Sequence, residues 1–419
     1  MTTAQQILIA REKRKDLLDK LCAMHNVVTI KANVPGENKL IGEASLIVSL
    51  FTRLVNNFVD GEVTLDTNAD GRCAIITFDG DVQAVKMQTV ELEDTHPLGR
   101  FVDIDVRERG SSSSLSRGKL RKCFICDNPA FVCGRTCAHT QQQLQDALTN
   151  SVKNYFTKQI SSLLKQSMLA ELNLENKFGL VTPTTNGSHR DMDYDLMVKA
   201  QDAILPYFVQ MFWQGFNLDE CQNLLETVRP TGVMAEEAMN QATNGINAYK
   251  GLIFVLGLIA ASTGNVLAKC GNIQDVYSNV KCSCQNILKE FDNAPTSYGV
   301  SAFKAHGVAG ARGHAQQGFT CVQGALQVLQ HSNNLLQTLI YIVGNTDDTV
   351  LLKRSKTFDS YLVNKQMIAS VDANNPAQVE LVNKICLQRN LSIGGSADVL
   401  VATVFMSKVK ELMYFNFIK

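Results

Sequence analysis

The sequence has no excess charge of either sign, because 40 lysines and arginines are matched by 40 aspartates and glutamates. A chain without a net electrostatic field has no general attraction for nucleic acid or for an anionic membrane surface. We therefore expect neither as a partner. Any anionic ligand must then be held by local clusters of cationic side chains.

A long hydrophobic run is also absent. The most apolar segment, from Gly251 to Ala261, has only about half of the roughly 20 residues that a helix needs to span a bilayer. We interpret it as a buried helix and expect no membrane association. The first 15 residues lack a continuous apolar stretch followed by a cleavage site, and the 12 cysteines are irregularly spaced. Both features favour reduced thiols and a cytoplasmic protein.

The chain has 419 residues, which exceeds one typical core, so two domains are expected. The pattern from Ala4 to Met24 predicts an amphipathic helix, and Val27–Ala32 and Cys73–Phe78 are rich in strand-forming residues. Val85–Leu92 mixes apolar and polar residues, as in a half-buried strand. These features predict an α+β domain in the N-terminal part of the chain.

Proline is missing from residues 141 to 182, where apolar side chains recur at intervals of three and four. This spacing predicts one long helix that continues from the first domain into the second. Amphipathic helices with few strand signals follow, so the second domain is predicted to be all-α. In a helical bundle, polar residues at helix ends can gather around one central cavity.

Residues 96–106, HPLGRFVDIDV, contain two aspartates in a β-rich run. Alternate side chains of a strand point to the same face, so Asp103 and Asp105 can share one Mg²⁺. Gly99 lets the backbone approach a phosphate, and Arg100 can stabilise the phosphate charge. We predict catalytic roles for Arg100, Asp103 and Asp105. A DxD pair without this context is more often an exposed strand end.

A second candidate metal site follows closely in the sequence. Cys123, Cys126, Cys133 and His139 have the density of a zinc site, and CxxC is a good half-site for tetrahedral sulfur coordination. The second half of the pattern is less regular. The alternative is a set of packed thiols beside a basic phosphate-binding turn formed by Arg121, Lys122 and Arg135.

Four segments of the second half are rich in glycine and polar residues: 174–194, 245–257, 307–319 and 392–398. The first combines turn formers with histidine and aspartate, as is typical of a ligand loop. In the last two segments, glycines allow backbone N–H groups to line an anion pocket at a helix start. Gly251 and Gly257 are instead expected to allow close packing of helices.

In order and spacing, these four segments resemble the triphosphoribosyl-dephospho-coenzyme A synthase family. The run HPLGRFVDIDV, with NVPGENK at 33–39 and the cysteine-rich segment at 121–139, resembles a different family, holo-citrate lyase synthase. The chain is therefore similar to a fusion of two enzymes that catalyse consecutive reactions. The two resemblances place a transferase-like domain at 1–152 and a synthase-like domain at 153–419.

The resemblance implies two reactions. The second domain would join ATP to the 2′-hydroxyl of 3′-dephospho-coenzyme A and release adenine. The first domain would transfer the product to a serine of the acyl carrier subunit of citrate lyase and release pyrophosphate. ATP, 3′-dephospho-coenzyme A and the carrier subunit are thus the expected partners, and Mg²⁺ is the expected cofactor.

The matching positions also imply residue roles in the second domain. The catalytic candidates are His189, Asp191, Glu236 and Asp398. The candidates for holding Mg²⁺ are Asp191, Asp348 and Asp398. Over both domains, the candidates for substrate binding are Gly99, Arg121, Arg135, Gly187, Lys250, Arg312, Gly313, Gly394, Gly395 and Ser396.

Four positions depart from the synthase pattern. Tyr249 replaces a histidine, His314 replaces a glutamate, Val350 replaces an asparagine and Ile393 replaces a proline. The departures at Tyr249, His314 and Val350 motivate an alternative function, in which the transferase is active and the helical domain only binds the nucleotide precursor or the carrier protein.

Overall fold

The computed structural model describes residues 2–293 and 297–415. The chain divides into two compact units. One comprises residues up to 159 together with 267–272 and the residues from 410 onward. The other comprises residues 160–266 and 273–409.

The first unit is built on a four-stranded antiparallel sheet with the strand order β2-β3-β1-β4. Its strands are β1 (Asn26–Ala32), β2 (Gly61–Asn68), β3 (Gly71–Phe78) and β4 (Val102–Arg107). Its helices are α1 (Thr3–Cys22), α2 (Gly42–Asn56), α3 (Val82–Thr95) and α4 (Ala130–Thr136). The central strand β1 is buried along most of its length, because α1 and α2 pack against it. The predicted α+β composition of this part is confirmed.

The N-terminal helix and two of the three predicted strands are confirmed with small shifts of their ends. The third prediction is wrong, because Val85–Leu92 lies within helix α3. Its buried side chains recur at three- and four-residue steps, and the Asp81 carboxylate caps the helix start by accepting the N–H groups of Gln83 and Ala84. The mixture of polar and apolar residues resembles the alternation of a strand, but the cap at Asp81 favours a helix.

Helix α5 (Gln141–Leu172) is unbroken, as the proline-free periodicity predicts. Its fully buried side chains follow one another at steps of four residues: Leu148, Val152, Phe156, Ile160, Leu164, Met168 and Leu172. The limit between the two units falls inside this helix.

After α5, every regular element among the described residues of the second unit is a helix. The longer helices are α6 (Tyr194–Phe216), α7 (Leu224–Ala242), α8 (Lys250–Ala268), α9 (Ile273–Cys284), α13 (Thr320–Ser332), α14 (Leu335–Asn345), α16 (Phe358–Ala369), α17 (Pro376–Gln388) and α18 (Gly394–Leu412). The shorter ones are α10 (Glu290–Asn293), α11 (Tyr298–His306), α12 (Gly310–Gln316) and α15 (Thr349–Ser355). The predicted helical character of the C-terminal region is confirmed.

Helix α8 is long and apolar enough to cross a membrane by length and composition alone. However, 83% of its apolar window is buried inside the protein. A core helix passes the same test, so the match is only a weak indication of a membrane span. The predicted burial of Gly251–Ala261 is confirmed.

Candidate functional site

In the first unit, the candidate carboxylates lie on one face of β4. Val102, Ile104 and Val106 are fully buried, whereas the intervening Asp103 and Asp105 are half-buried. The antiparallel register places Asp103 opposite Lys31 and Asp105 opposite Thr29 on β1. The strand alternation therefore puts both aspartates on the same face, as expected.

Arg121 connects this face to α3. Its guanidinium contacts the Asp103 carboxylate and donates to Glu93 Oε1 at 2.9 Å and to the Val102 carbonyl at 3.0 Å. The Glu93 side chain is fully buried and also accepts from Arg117 at 3.1 Å and from the Ile104 N–H at 3.0 Å. Arg121 is thus held in a fixed position by three acceptors. Glu93 was not predicted, because no local motif marks it.

Asp105 has a different environment. Burial and the neighbouring Asp103 carboxylate raise its pKa, while Lys86 and Arg121 oppose that shift. A further positive charge at this face would favour ionisation of Asp105.

Gly99 and Arg100 lie on the short 3₁₀ turn before β4. A Cβ on Gly99 would lie 2.0 Å from the Glu93 carbonyl oxygen, so the turn can pack on α3 only with glycine there. Arg100 donates to the Cys123 carbonyl at 3.1 Å and to Asp127 at 3.0 Å. Gly99 therefore serves packing, although it also lines the adjacent cavity.

His96 fixes the start of the same turn. Its Nδ1 accepts the Leu98 N–H at 3.0 Å, so its Nε2 carries the proton and donates to the Tyr155 hydroxyl at 3.2 Å. Burial lowers the pKa of His96 to about 4 and keeps the ring neutral.

A cavity of about 340 Å³ opens beside this turn. Its charged lining comprises Glu93, Asp94, Arg100, Arg117, Lys119, Arg121 and Lys122. Five cations against two acids make it suited to an anion. Arg135 does not line it, since its guanidinium lies over the exposed Phe131 ring, 5.6 Å from the centroid.

In the second unit, a larger cavity of about 880 Å³ gathers residues from all four glycine-rich segments. It is lined by His189 and Asp191 of the first segment, by Lys250 and Gly251 of the second, by Ala311 and His314 of the third, and by Gly394, Gly395 and Asp398 of the fourth. The predicted convergence on one cavity is observed.

Asp398 faces this cavity from the first turns of α18. No hydrogen bond or ion pair to its carboxylate occurs among the described residues. Burial and the nearby carboxylates of Asp348 and Glu171 raise its pKa well above the ordinary value. Ionisation of Asp398 is therefore costly until a proton or a cation compensates it.

Gly251, near the start of α8, makes room for this carboxylate. A Cβ on Gly251 would lie 2.1 Å from Asp398 Oδ2. The expected close packing at Gly251 is therefore a contact between α8 and an acidic side chain of α18. For Gly257 the packing role holds, since a Cβ there would lie 2.5 Å from Met211 Sδ.

Asp348 has a structural role. Its Oδ1 accepts the N–H groups of Val350 and Leu351 at 2.9 and 3.0 Å and caps α15. Its Oδ2 accepts the N–H and the hydroxyl of Ser396 at 2.8 and 2.9 Å. These four bonds engage both oxygens of Asp348 and both donors of Ser396. The geometry therefore argues against Asp348 as a metal ligand and against Ser396 as a phosphate donor.

The cationic side of the cavity centres on α15. Lys353, Arg354 and Lys356 line the cavity, and Arg354 lies 3.5 Å from His189 Nδ1. Burial and the Arg354 charge lower the pKa of His189, while Asp191 opposes that shift. His189 Nε2 lies 3.1 Å from the Ser392 hydroxyl. The run KRSK at 353–356 was a usable signal for these cations.

Glu171, on α5, is a second residue that sequence reasoning missed. It lines the cavity, and its carboxylate accepts from the fully buried Lys177 at 2.7 Å. Tyr249 lies nearby, is buried, and its hydroxyl accepts from Gln201 at 2.8 Å. Burial and the Glu171 carboxylate raise the pKa of Tyr249 far above its ordinary value. Tyr249 is therefore a neutral hydroxyl at this wall.

Several predicted residues are placed elsewhere. Glu236 does not line the cavity and pairs with Lys250, which does. Arg312 faces Phe291, 4.9 Å from the ring centroid, and Glu290, at 3.9 Å. Gly187 and Gly313 serve tight packing, because a Cβ would lie 2.5 Å from the Gly179 carbonyl and 2.6 Å from the Ala309 Cβ, respectively.

The structure also shows the environment of the four residues that depart from the synthase pattern. Tyr249 and Val350 line the cavity, and His314 lies at its wall with Nε2 3.2 Å from the Asp347 N–H. Burial lowers the pKa of His314. Ile393 is fully buried immediately before α18. Polar atoms of Tyr249 and His314 are thus already engaged by the protein.

Comparison with known families gives two matches in one chain. Residues 157–417 match the CitG model, described as ATP:dephospho-CoA triphosphoribosyl transferase. Residues 2–155 match the CitX model, described as apo-citrate lyase phosphoribosyl-dephospho-CoA transferase.

Full-length relatives show the same combination. Protein CitXG of Haemophilus influenzae is 28% identical, with 96% of this chain and 95% of the relative covered. Protein CitXG of Leuconostoc mesenteroides subsp. cremoris is 29% identical, with 96% of each chain covered. The 2-(5''-triphosphoribosyl)-3'-dephosphocoenzyme-A synthase of Haemophilus ducreyi is 30% identical over 67% of this chain and 98% of its own length.

Proposed function

The chain belongs to the ATP:dephospho-CoA triphosphoribosyl transferase family, and from this premise we propose that it is a bifunctional transferase. Residues 153–419 join ATP to the 2′-hydroxyl of 3′-dephospho-coenzyme A and release adenine. Residues 1–152 transfer the product to a serine of the apo acyl carrier subunit of citrate lyase and release pyrophosphate. The two family matches and the two CitXG relatives support this division.

The unpaired carboxylate of Asp398 is the observation that carries the first reaction. Joining the 2′-oxygen to C1 of the ATP ribose breaks the bond to adenine, and the attacking hydroxyl must lose its proton. A carboxylate whose pKa is raised well above its ordinary value is a stronger proton acceptor. Asp398 accepts this proton in the proposed mechanism, and the proton then becomes available to the departing adenine.

Glu171 and Tyr249 shape the environment of that base. The paired Glu171 carboxylate and the Asp348 carboxylate favour positive charge developing on the ribosyl group, as an oxocarbenium-like transition state requires. The Tyr249 hydroxyl, neutral and buried, can donate to a ring nitrogen of adenine or to a ribose oxygen. The Glu171 and Tyr249 side chains are already oriented by their protein partners before substrate binds.

The triphosphate is assigned to the cationic side of the cavity. Lys353, Arg354 and Lys356 supply charge there, and Gly394 and Gly395 begin a 19-residue helix whose N-terminal N–H groups favour an anion. His189 connects this side to Asp191. The assignment separates phosphate recognition from the proton acceptor within one cavity.

The remaining carboxylates fit Mg²⁺ in the way typical of nucleotide sites. Mg²⁺ is usually bound by one or two carboxylates, with substrate phosphates and water completing the coordination. Asp191 would hold it in the helical part, and Asp103 with Asp105 in the N-terminal part. When bound, Mg²⁺ neutralises phosphate charge and orients the phosphate oxygens.

In the second reaction, the serine oxygen forms a bond to the α-phosphorus and pyrophosphate leaves. The cavity beside the 3₁₀ turn offers Arg100, Arg117 and Arg121 to the phosphates. Arg121 is immobilised by Glu93 and Asp103, so it can stabilise the developing charge without reorganisation.

The full chain with ATP, Mg²⁺ and 3′-dephospho-coenzyme A should release adenine, measured by chromatography. Adding the unmodified carrier should then increase the carrier mass by that of the prosthetic group. Nucleotide binding without adenine release would reject the synthase proposal in favour of a binding module. Carrier modification from preformed intermediate would still test the N-terminal reaction separately.

A further inference from the structure

The cluster formed by Cys123, Cys126, Cys133 and His139 is preassembled. One potential ligand atom from each residue lies within 4.8 Å of the other three. Cys126 Sγ is 3.5 Å from Cys133 Sγ and 3.4 Å from His139 Nε2. Metal–ligand bonds of tetrahedral zinc would place its sulfur and nitrogen ligands about 3.5–3.8 Å apart. These two separations are close to that arrangement, and the remaining ones lie within 4.8 Å.

The segment that carries these residues has little hydrophobic core of its own. Leu120, Ile125, Phe131 and Val132 are exposed by 68%, 42%, 49% and 37%. Cys123 and Cys133 are buried, and Phe124 packs on Phe101 with ring centroids 4.7 Å apart. A segment that buries thiols and exposes its large apolar side chains needs another source of folding free energy, which a structural metal supplies.

The backbone around Cys123 has the form of a metal-binding turn. The Cys123 N–H donates to the Asn128 carbonyl at 2.8 Å, and Lys122 pairs with Pro129 as an antiparallel bridge. This paired turn fixes the backbone that carries Cys123 and Cys126.

We propose that Cys123, Cys126, Cys133 and His139 bind one structural Zn²⁺ ion. Three thiolates and one imidazole complete a tetrahedron, which leaves no position open for substrate. The ion closes the loop from 123 to 139 and fixes α4 against the turn.

The site also has a consequence for the transferase reaction, and this part rests on the proposed function. Arg121 precedes the first ligand by two residues, and its carbonyl accepts the Ala130 N–H at 2.8 Å. Arg100 donates to the carbonyl of Cys123 itself at 3.1 Å. The proposed zinc site therefore positions two cations of the phosphate cavity without touching substrate.

Metal content of the purified full-length chain tests the site directly. Wild type should contain one zinc per chain, and Cys126→Ser should lose at least about tenfold in zinc affinity because a ligand is removed. Cys137→Ser is the matched control. Cys137 lies in the same segment, is exposed, and is not part of the cluster. Equal zinc content in Cys126→Ser and wild type would overturn the proposal.

A second measurement covers the case in which Cys126→Ser does not fold. Wild type stripped of metal under reducing conditions is titrated with Co²⁺, and three-thiolate tetrahedral binding should give intense visible and thiolate charge-transfer bands. Zn²⁺ should displace Co²⁺ stoichiometrically. No such bands, or a Cys126–Cys133 disulfide in protein purified without oxidant, would reject the zinc site.

Carrier modification by Cys126→Ser should fall roughly 10- to 100-fold, as is common when a supporting shell is lost. Adenine release should be unchanged. If wild type binds zinc and Cys126→Ser loses it, but both modify the carrier equally well, the metal site is supported and its positioning role is wrong. If wild type does not modify the carrier, only the proposed function fails.

Discussion

The key carboxylates of the two candidate sites, Asp103 and Asp398, have opposite electrostatic environments. Asp103 is neutralised by Arg121, which Glu93 holds in turn, whereas Asp398 has no cationic partner among the described residues and lies near Asp348 and Glu171. Asp103 therefore has a positively charged partner before substrate arrives. Asp398 keeps an unfavourable charge that substrate, proton or metal must relieve.

This difference corresponds to the chemistry proposed for each site. Displacement of pyrophosphate needs fixed cations, and fixing an arginine requires acceptors around it. Glycosyl transfer needs a proton acceptor near neutral pH, and a carboxylate reaches that range only if ionisation is made costly. The contrast can be tested by removing one charge at a time.

The largest effect is expected for Asp398→Asn. Adenine release should fall by about 10²–10⁴-fold because the proton acceptor is lost, while modification of the carrier from preformed intermediate should persist. Chromatographic adenine assays and carrier mass spectrometry measure the two reactions. Asp202→Asn is the control, since Asp202 is exposed and pairs with Lys165. Undiminished adenine release would leave Asp398 without a catalytic role.

The same variant should be more stable than wild type near neutral pH. Because the folded-state pKa of Asp398 is raised, wild-type stability falls as pH rises from the ordinary carboxyl pKa to the raised value. Asn does not ionise, so the difference in Tm should grow with pH over that interval, by roughly 2–4 °C per kcal/mol. In wild type, adenine release should decline as pH falls below the raised pKa. A pH-independent difference in Tm would contradict the assigned charge state.

Next in size is Asp103→Asn. Carrier modification should fall about a hundredfold, because Mg²⁺ binding weakens and Arg121 loses the negative charge that it pairs with. Asp105→Asn should have a similar effect, and adenine release should persist in both. Asp19→Asn is a control on the same unit, where Asp19 pairs with Arg107. Normal labelling of the carrier by both folded variants would remove the metal assignment.

Arg354→Ala should raise the KM for ATP by roughly 10- to 100-fold, as expected for loss of a charge-assisted contact. Arg312→Ala should change it little, because Arg312 does not line the cavity. Steady-state kinetics of adenine release compare the two. The reverse ranking would favour the motif-based assignment of Arg312 over the geometric one.

The last prediction concerns stability. Asp348→Ala removes the cap of α15 and leaves Ser396 without its acceptor, which should cost about 2–4 kcal/mol in the free energy of unfolding. Asn375→Ala removes a single cap bond and should cost about 1 kcal/mol. Denaturant unfolding measures both. Equal losses would mean that the Ser396 bonds contribute nothing.

Local patterns in the sequence predicted the helical C-terminal region, the unbroken α5 and the shared face of Asp103 and Asp105. These features depend on periodicity within one element. The strand predicted at Val85–Leu92 is wrong because these residues fit both a strand period and a helix period. The helix cap at Asp81 decides in favour of the helix. The resemblance to the synthase motifs singled out His189, Asp191, Gly394 and Asp398, and these four residues line one cavity.

Long-range contacts could not be predicted in the same way. Glu93 and Glu171 have no distinguishing neighbours in sequence, and their roles come from partners on other elements or from burial. Arg312 belongs to a matching motif, yet its side chain lies against Phe291. Asp348 follows a recognisable pattern, but only the fold shows that Ser396 engages its second oxygen.

The contact between Gly251 and Asp398 constrains how this family can vary. A methyl group at 251 would occupy the space of the carboxylate, so the two positions are expected to change together across lineages. A homologue that keeps the acid should keep the glycine, whereas one that has lost the acid is free to acquire alanine or serine. The residues at positions 251 and 398 would therefore indicate which homologues no longer release adenine.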